Sequence, residues 1–178
     1  MIEQAYAATT RLAVAVLITL DAQVKALQGE VEAHFGRHPA AEIIMSQPGL
    51  GVILGARVLA EFGDDPHRYA SAKARKNYAV TSPITHASGK MRVVAARYAH
   101  QDRLVDALLR QEFSALKASP GARGYYNRQR ARGMNHSAAL RHVANRLVGI
   151  PHGCPKTGSL YNEATAWVHH NRDIPAAA

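Results

Sequence analysis

The feature that most constrains the fold is an uninterrupted helical pattern over residues 2–35. Its apolar side chains recur at spacings of four and three, and they are Leu12, Val16, Leu20, Val24, Leu27, Val31 and Phe35. This spacing places them along one face of an α-helix. No proline precedes Pro39, and only Gly29 weakens the pattern. The stripe is equally typical of a coiled-coil arm and of a helix packed on the rest of the chain.

Length and composition exclude several classes of protein. The chain has 178 residues, of which 47% are hydrophobic, so it can form a domain with a real core and a helical arm. We expect no membrane partner, because no run approaches about 20 consecutive apolar residues. The start, Met-Ile-Glu, lacks the basic residues of a signal peptide. The single cysteine, Cys154, excludes an internal disulfide and favours the cytoplasm.

Charge is distributed unevenly along the chain. Residues 1–65 carry 4 Lys and Arg against 8 Asp and Glu, whereas residues 66–162 carry 17 against 3. No acidic residue lies between Glu112 and Glu163. A basic region of this kind favours a polyanionic partner, above all nucleic acid, over a basic surface that serves solubility alone.

Residues 40–62 read as two short helices joined by Pro-Gly-Leu-Gly, which is the pattern of a helix-hairpin-helix. Gly49 and Gly51 allow a tight turn, and Leu50 can point into the core between the helices. The N–H groups at the start of the second helix would then be available to a DNA phosphate. We therefore predict that Gly49, Leu50 and Gly51 form a nucleic-acid contact. The alternative is an ordinary helical hairpin without a ligand.

The segment 80–94 lacks helical periodicity, and we predict a loop or a short hairpin there. Ser88 precedes a glycine and is followed by Lys90, Arg92 and Arg97. An exposed hydroxyl among cations is suited to attack on a phosphodiester, since the cations stabilise charge on the phosphoryl oxygens. Taken alone, a Ser-Gly pair is more often a simple turn.

The remaining pattern predicts a mainly α fold. Helices are expected over 71–79 with Ser71 as its N-cap, over 101–118, over 122–132, from Asn135 to about Ile150, and over 160–169. The helix over 122–132 is basic and carries aromatic residues, and we expect Arg128 and Arg130 to contact nucleic acid. We predict an arm over 1–38, a C-terminal domain over 39–170 and a disordered tail over 171–178.

Other chemistries are less favoured by the residues. Tyr78, Tyr125 and Tyr126 could serve a tyrosine recombinase, but the spaced Arg and His set of that class cannot be assembled. A zinc site from His152, Cys154, His169 and His170 has irregular spacing, so we predict no metal in this chain. His86 lies two residues before Ser88 and could act as a base, although a surface histidine is the more common reading.

Several ordered motifs together resemble the insertion-sequence-110 family of transposases. They are Gln-Pro-Gly-Leu-Gly, Phe-Gly-Asp, Tyr-Ala-Ser-Ala, Asn-Tyr-Ala-x-x-Ser-Pro and Ala-Ser-Gly between residues 47 and 89, then Ser-Pro-Gly-Ala-Arg-Gly-Tyr-Tyr, Arg-Ala-Arg-Gly and Ala-Leu-Arg-His-Val-Ala-Asn-Arg-Leu-Val-Gly-Ile between 119 and 150. The resemblance spans about residues 10–170.

The resemblance implies a recombinase that moves a DNA element and uses a structured RNA to choose its DNA partners. Such proteins combine an N-terminal ribonuclease-H-like domain, whose four acidic residues hold divalent metal, with a coiled-coil arm and a C-terminal domain. This chain resembles the arm and the C-terminal domain only. Ser88 matches the serine thought to bond covalently to DNA. The arm implies a homo-oligomer, and the bacterial nucleoid is the expected location.

Three departures from the family pattern lead us to expect a truncated copy that is inactive alone. The metal-binding domain is missing, so no metal is expected in this chain. Val80 stands where the family usually has glycine, which is unfavourable if that position needs a positive φ. Pro151 and Pro155 interrupt a helix that is usually continuous, so we predict its end near Ile150.

Two further hypotheses belong to other functional classes. The chain could be a non-catalytic DNA-binding module, which would bind DNA in a salt-sensitive manner without forming an adduct. It could also be a repair-type helix-hairpin-helix protein that prefers branched DNA over linear duplex.

Overall fold

The computed structural model of the chain describes residues 2–65, 67–95 and 97–171, in two compact units, Met1–His38 and Pro39–Ala178. The first unit is helix α1, Ile2–Phe35, as the apolar spacing predicts. Most of its apolar stripe is exposed, with Leu12 at 70% and Leu27 at 66%. That this stripe forms a coiled coil with another chain stays a prediction, which the oligomeric state in solution tests.

Helix α1 is long and apolar enough to cross a membrane, which we did not expect from the sequence. Its most apolar stretch of 18 residues has a mean hydropathy of 1.3, and none of that stretch is buried. Helices near an N-terminus often meet this criterion for other reasons. Arg11 and the ion pair between Lys25 and Asp21, 2.7 Å apart, would each be costly in lipid. We therefore keep the expectation of no membrane partner as a prediction.

The second unit is mainly α-helical, as predicted, with one two-stranded antiparallel sheet. In chain order its elements are α2 (Ala41–Met45), α3 (Val52–Phe62), α4 (Ala72–Tyr78), β1 (Ile84–Ser88), β2 (Met91–Ala95), α5 (Asp102–Ala118), α6 (Pro120–Ala131), α7 (His136–Thr157) and α8 (Glu163–Asn171). The predicted tail begins at residue 171, but Asn171 ends α8. Residues 172–178 lie outside the described part of the chain.

Helix starts follow the capping residues in the sequence. Ser71 and Asn135 accept hydrogen bonds from Ala74 N and Ala138 N, which confirms both as N-caps. Helix α6 begins at Pro120, two residues before the predicted start. Ser119 caps it by accepting from Ala122 N at 3.0 Å. Proline is favoured at the first helical position because its missing N–H has no partner there.

The prediction that helix α7 ends near Ile150 is wrong. The helix runs through positions 151 and 155 to Thr157, and Gly158 ends it in the left-handed conformation at φ 64°. A proline inside a helix costs about 3 kcal/mol, but tertiary packing can offset this cost. Cys154 is buried between the two prolines, and its carbonyl accepts from Ser159 N, which secures the C-terminus.

Helices α5 and α7 lie at the centre of this unit, since each packs on the other and on α6. The core between them and α8 contains Ala115, Leu116, Ala122, Leu140, Val143, Leu147 and Trp167. Glu163 fixes α8 to the start of α6: its Oε1 accepts from Ser119 Oγ at 2.8 Å and from Gly121 N at 2.7 Å. Helix α8 also contains Trp167, which has no exposed surface and is the largest of the fully buried side chains. The hydrogen bonds of Glu163 therefore help to hold Trp167 in the core.

Val80 occupies a strained backbone conformation directly after α4. Its φ is 60°, and among the described non-glycine residues it alone has a positive φ. A β-branched residue is a genuine outlier in this region, because its Cβ crowds the neighbouring carbonyl. The turn at residue 80 therefore favours glycine, which adopts a positive φ without strain. The resemblance to the family implies the same preference.

We expect Val80→Gly to stabilise the protein by about 1 kcal/mol. Relief of the strain, worth about 1–2 kcal/mol, exceeds the added freedom of glycine in the unfolded chain. Urea unfolding measures the difference. Ala79→Gly is the matched control and should destabilise the protein, since Ala79 has a φ of −70° and is buried. An unchanged or lower midpoint for Val80→Gly would show that the turn is not strained.

Candidate nucleic-acid interface

Ser88 lies at the tip of a β-hairpin. It ends β1 and pairs with Met91, so that Gly89 and Lys90 form a two-residue turn. Gly89 has a φ of 54°, which is the conformation that such turns require at their first position. Residues 85–90 are all exposed, and among the described residues Ser88 Oγ has no hydrogen-bond partner. The hydroxyl is therefore accessible to a macromolecule.

The strand register separates the predicted cations around Ser88. Directly opposed residues share a face, and successive residues alternate. Ser88 therefore shares a face with His86, Met91 and Val93, whereas Arg92 pairs with Ala87 on the other face. The side chains of Arg92 and Ser88 therefore start from opposite faces of the hairpin, and the role of Arg92 at a phosphate near Ser88 stays a prediction. Lys90 remains next to Ser88 in the turn.

Arg97 lies at the opposite end of the hairpin from Ser88, beyond β2, whose length is about 15 Å. Its Nη2 donates to Asn77 Oδ1 at 3.5 Å, so it is fixed to α4. Arg97 is therefore distant from Ser88 along the hairpin, and its contact with nucleic acid stays a prediction. It lies instead beside a cavity described below.

Arg128 and Arg130 differ in their availability on α6. The Arg128 guanidinium lies 5.9 Å from the centre of the Tyr125 ring and is half-buried. Arg130 is exposed, and its Nη1 donates to the Met134 carbonyl at 2.7 Å, which closes the end of α6. Either can add positive charge to the surface, and contact with nucleic acid stays a prediction for both.

The Pro-Gly-Leu-Gly turn joins α2 and α3, which pack against each other. Leu50 is buried, as expected, and Gly51 is exposed at the N-cap of α3. The first N–H groups of α3 have no partner within the helix, and they follow a turn that is buried at Pro48 and Leu50 and exposed at Gly51. Gly49 has a different role: a Cβ there would lie 2.5 Å from Gln111 O and 2.7 Å from Ala115 N, so the turn packs on the backbone of α5.

The tyrosine hydroxyls considered as nucleophiles have structural roles. Tyr78 OH donates to the carbonyl of Glu61 at 3.2 Å, and Tyr126 OH contacts His136 Nδ1 at 2.7 Å. The Tyr125 ring packs against Trp167. Tyr78 also belongs to an aromatic cluster with Phe62 and Tyr69, and the Arg75 guanidinium lies 4.2 Å from the Phe62 ring centre.

A half-buried pair of cations between α4 and α7 was not identified from the sequence. Helix α4 packs on α7, which brings Lys76 and Arg146 together. Burial, and to a lesser degree Arg146, lowers the pKa of Lys76. Lys76 fills the space over Gly149, where a Cβ would meet its Cε at 2.7 Å. The signal in the sequence was Gly149, whose missing side chain makes room for the lysine.

Two adjoining cavities open on either side of the Val80 turn. The larger, of about 360 Å³, lies between the hairpin and α7 and is lined by Ser82, Val94, Arg141, His142 and Asn145 among others. The smaller, of about 200 Å³, lies between α5 and α7. Both share Val80, Thr81 and Arg141. Val80 therefore lies between two cavities, and Arg141 contributes to the walls of both.

Glu112 is a buried acid in the wall of the smaller cavity. It is 3% exposed, and burial raises its pKa to about 8, although Arg141 acts in the opposite direction. The sequence did contain a signal for this residue, since Glu112 lies four residues after Leu108 and four before Leu116, on the apolar stripe of α5.

No cluster of metal ligands occurs in the described part of the chain, taken as groups of three or more His, Cys, Asp or Glu side chains. Cys154 is a free, buried thiol, and burial raises its pKa. The side chains of His169 and His170 lie outside the described residues. The described side chains therefore do not fit a divalent-metal centre.

Comparison with known proteins locates this chain among transposases. Residues 41–127 match the Transposase IS116/IS110/IS902 family. A protein of Streptomyces coelicolor, named as a candidate mini-circle transposase for IS117, is 46% identical over 156 residues, which is 86% of this chain and 38% of that protein. The 42 kDa protein of insertion element IS900 from Mycobacterium paratuberculosis is 34% identical over 84% of this chain and 38% of its own length.

A third relative is the 43.6 kDa protein of insertion element IS110 from Streptomyces coelicolor, 30% identical over 82% of this chain and 36% of its own length. The chain thus spans somewhat more than a third of the length of these relatives. The family match covers α2 through most of α6, including the Pro-Gly-Leu-Gly turn, the Val80 turn and the hairpin with Ser88. The chain belongs to the IS116/IS110/IS902 family of transposases.

Proposed function

We propose that this chain is the DNA-handling C-terminal part of a transposase, and that Ser88 is its nucleophile. The observation that carries the proposal is the exposed position of Ser88 at the hairpin tip, with Lys90 in the turn that follows it. A projecting tip can reach the DNA backbone, whereas a buried serine such as Ser119 cannot. Membership of the transposase family supports DNA as the substrate.

In the proposed reaction, Ser88 Oγ attacks a phosphorus atom of the DNA backbone. The Oγ–P bond forms, the bond from phosphorus to one deoxyribose oxygen breaks, and that oxygen leaves as a hydroxyl after taking a proton. The Ser88 proton passes to a base. His86 is the candidate for this role, because it lies two residues away on the same face of β1. Lys90 stabilises negative charge on the phosphoryl oxygens.

Positive charge on the body holds the DNA near the hairpin. The exposed N-terminus of α3 offers backbone N–H groups to a phosphate, and the exposed Arg92 extends the basic surface along the hairpin. These contacts are independent of base sequence. They position the duplex and leave the choice of target to another component, for which a guide RNA is our proposal.

The family resemblance implies a divalent metal, but the described residues of this chain do not form a centre that could hold one. Metal chemistry would be supplied by a ribonuclease-H-like domain elsewhere.

We also propose that α1, with its exposed apolar stripe, joins two or more copies, because strand exchange needs more than one serine. The bacterial cytoplasm, where the nucleoid lies, is the proposed location.

Because this chain is expected to be inactive alone, the test uses it joined to the ribonuclease-H-like domain of a family member. In that protein we expect Ser88→Ala to abolish covalent attachment to DNA and to leave non-covalent binding unchanged. The variant removes only the hydroxyl from an exposed position, so the fold is preserved. The measurement is a denaturing gel of labelled DNA after incubation with the protein, with mass spectrometry of the modified peptide. Ser82→Ala is the matched control, since Ser82 lies at the base of the hairpin. An adduct that persists in Ser88→Ala contradicts the proposal.

A non-catalytic DNA-binding module is the second candidate function. It is favoured by one observation, that Ser88 Oγ has no hydrogen-bonded base among the described residues. This candidate predicts salt-sensitive DNA binding with no adduct in either the wild type or Ser88→Ala. Preference for a four-way junction over linear duplex would instead favour the repair-type helix-hairpin-helix protein.

A further inference from the structure

The hairpin carries exposed apolar side chains on the face that holds Ser88. Met91, directly opposite Ser88 in the strand register, is 65% exposed, and Val93 on the same face is 47% exposed. Because they are successive residues of one face, they form a continuous apolar strip. A contiguous apolar surface that is open to solvent is typical of a site that binds a partner.

Met91 is the large apolar side chain closest to the tip of the hairpin. It follows the turn of Gly89 and Lys90, and it closes that turn as the cross-strand partner of Ser88. The Cβ atoms of directly opposed residues lie about 4.5–5.5 Å apart. A methionine side chain is long, unbranched and flexible. Met91 therefore extends from the tip beside the Ser88 hydroxyl, and whatever meets one side chain also meets the other.

Charge limits the kind of partner that can meet this face. The sequence has no Asp or Glu from residue 66 to residue 101, and the hairpin carries His86, Lys90 and Arg92, all of which are exposed. A complementary partner is anionic, and it must also offer an apolar region to Met91. Duplex DNA has both, since its phosphates lie beside stacked base faces. A two-stranded ribbon is also narrow enough to enter a groove of DNA.

We propose that Met91 is a wedge that enters between two adjacent base pairs of DNA, next to the phosphate that Ser88 meets. The inference rests on the proposed function, which brings the DNA backbone to the hairpin tip. Apolar side chains, methionine among them, act in this way from the minor groove, where they unstack one base step and kink the duplex. Lys90 and Arg92, the residues before and after Met91, then neutralise phosphates near the kinked step.

The wedge gives the chain a preference among DNA sequences that contacts with phosphates cannot supply. Pyrimidine–purine steps such as TA and CA unstack and kink more easily than other steps. Insertion of Met91 therefore favours such a step, and it brings Ser88 to the backbone beside it. Met91 is thus a specificity-determining residue at the scale of one base step, whereas the wider target is chosen by another component.

The test compares binding of two duplexes of about 20 base pairs that differ only in one central T·T mismatch. A mismatch lowers the cost of unstacking, so a wedge binds there more readily. We expect the wild-type chain to bind the mismatched duplex about tenfold more tightly in fluorescence anisotropy. Met91→Ala should bind both duplexes equally. Met91→Leu should keep the preference, because leucine is also an effective apolar wedge.

Val94→Ala is the matched control. Val94 is apolar and 60% exposed, but it pairs with Thr85 on the other face of the hairpin, so its replacement should leave the preference unchanged. A 2-aminopurine base beside the central step gives a second readout, since its fluorescence rises when it leaves the stack. The wild type and Val94→Ala should raise this fluorescence, whereas Met91→Ala should not. Both substitutions are at exposed positions, and neither readout requires catalysis.

Equal, salt-sensitive binding of both duplexes by the wild type would overturn the wedge and leave the proposed function intact. A preference for the mismatch that persists in Met91→Ala would also overturn it. So would a change in the oligomeric state of Met91→Ala without any change in duplex binding, because Met91 would then meet a second copy of the chain. Failure of the wild type to bind either duplex would overturn both proposals.

Discussion

Replacement of Gly49 by alanine should destabilise the protein by about 3 kcal/mol. The new Cβ would lie 2.5 Å from Gln111 O and 2.7 Å from Ala115 N, both backbone atoms of α5 that cannot rotate away. The φ of 81° adds a conformational cost of about 1–2 kcal/mol for any other residue. Forced separation of the turn from α5 adds about 1–3 kcal/mol. The free energy of unfolding in urea measures the effect.

Gly51 provides the matched control in the same turn. It has a φ of −92°, and a Cβ there would meet nothing within 4 Å. Gly51→Ala should therefore cost only about 0.5–1 kcal/mol, which is the ordinary preference of an N-cap for glycine over alanine. Equal stability of the two variants would show that the turn does not pack on α5 as described.

The free energy of unfolding should fall as pH rises from about 5 to 8, and Glu112 should be the main cause. Its folded pKa, about 8, lies above its ordinary value of 4.5. The folded state thus binds a proton that the unfolded state has released, so this stability is fully present below pH 4.5 and is lost as pH rises through 8. The loss is on the order of 4 kcal/mol.

Glu112→Gln isolates this contribution. The amide keeps the shape but cannot ionise, so the variant should be more stable than wild type at pH 8 and similar at pH 5. His142, whose pKa is lowered by burial and by Arg141 and Arg132, titrates in both proteins and cancels in the difference. Glu32→Gln, on the exposed arm, should behave as wild type. A difference between Glu112→Gln and wild type that does not change between pH 5 and 8 would contradict a buried, unpaired carboxyl group.

Local patterns predicted most of the helices correctly. The four-and-three spacing in α1, the apolar run of α3 and the capping residues Ser71 and Asn135 each act within a few residues of chain. Such features are visible in sequence because their energetics are local. The end of α7 was predicted too early for a related reason. The cost of Pro151 and Pro155 in a helix can be read from the sequence, but the packing around Cys154 depends on distant residues.

The candidate site was predicted only in part, because its geometry depends on distant contacts. Ser88 was identified from its neighbours, but its separation from Arg92 and Arg97 follows from a strand register. Gly49 was assigned to a phosphate contact, whereas the structure uses it to bring a turn against α5. Glu112 was noted only as the last acid before a basic stretch, and its burial emerges once α5 and α7 pack together.

We propose that the basic C-terminal unit holds DNA and that the hairpin tip lies against the DNA backbone. The most direct test is to measure binding of a short duplex at several salt concentrations. Affinity should fall by more than tenfold between about 50 and 200 mM salt. A Lys90→Ala, Arg92→Ala double variant should reduce the slope by about two. An Arg11→Ala, Lys25→Ala double variant on the arm should not. Binding that is absent, insensitive to salt, or reduced equally by both variants would contradict the account.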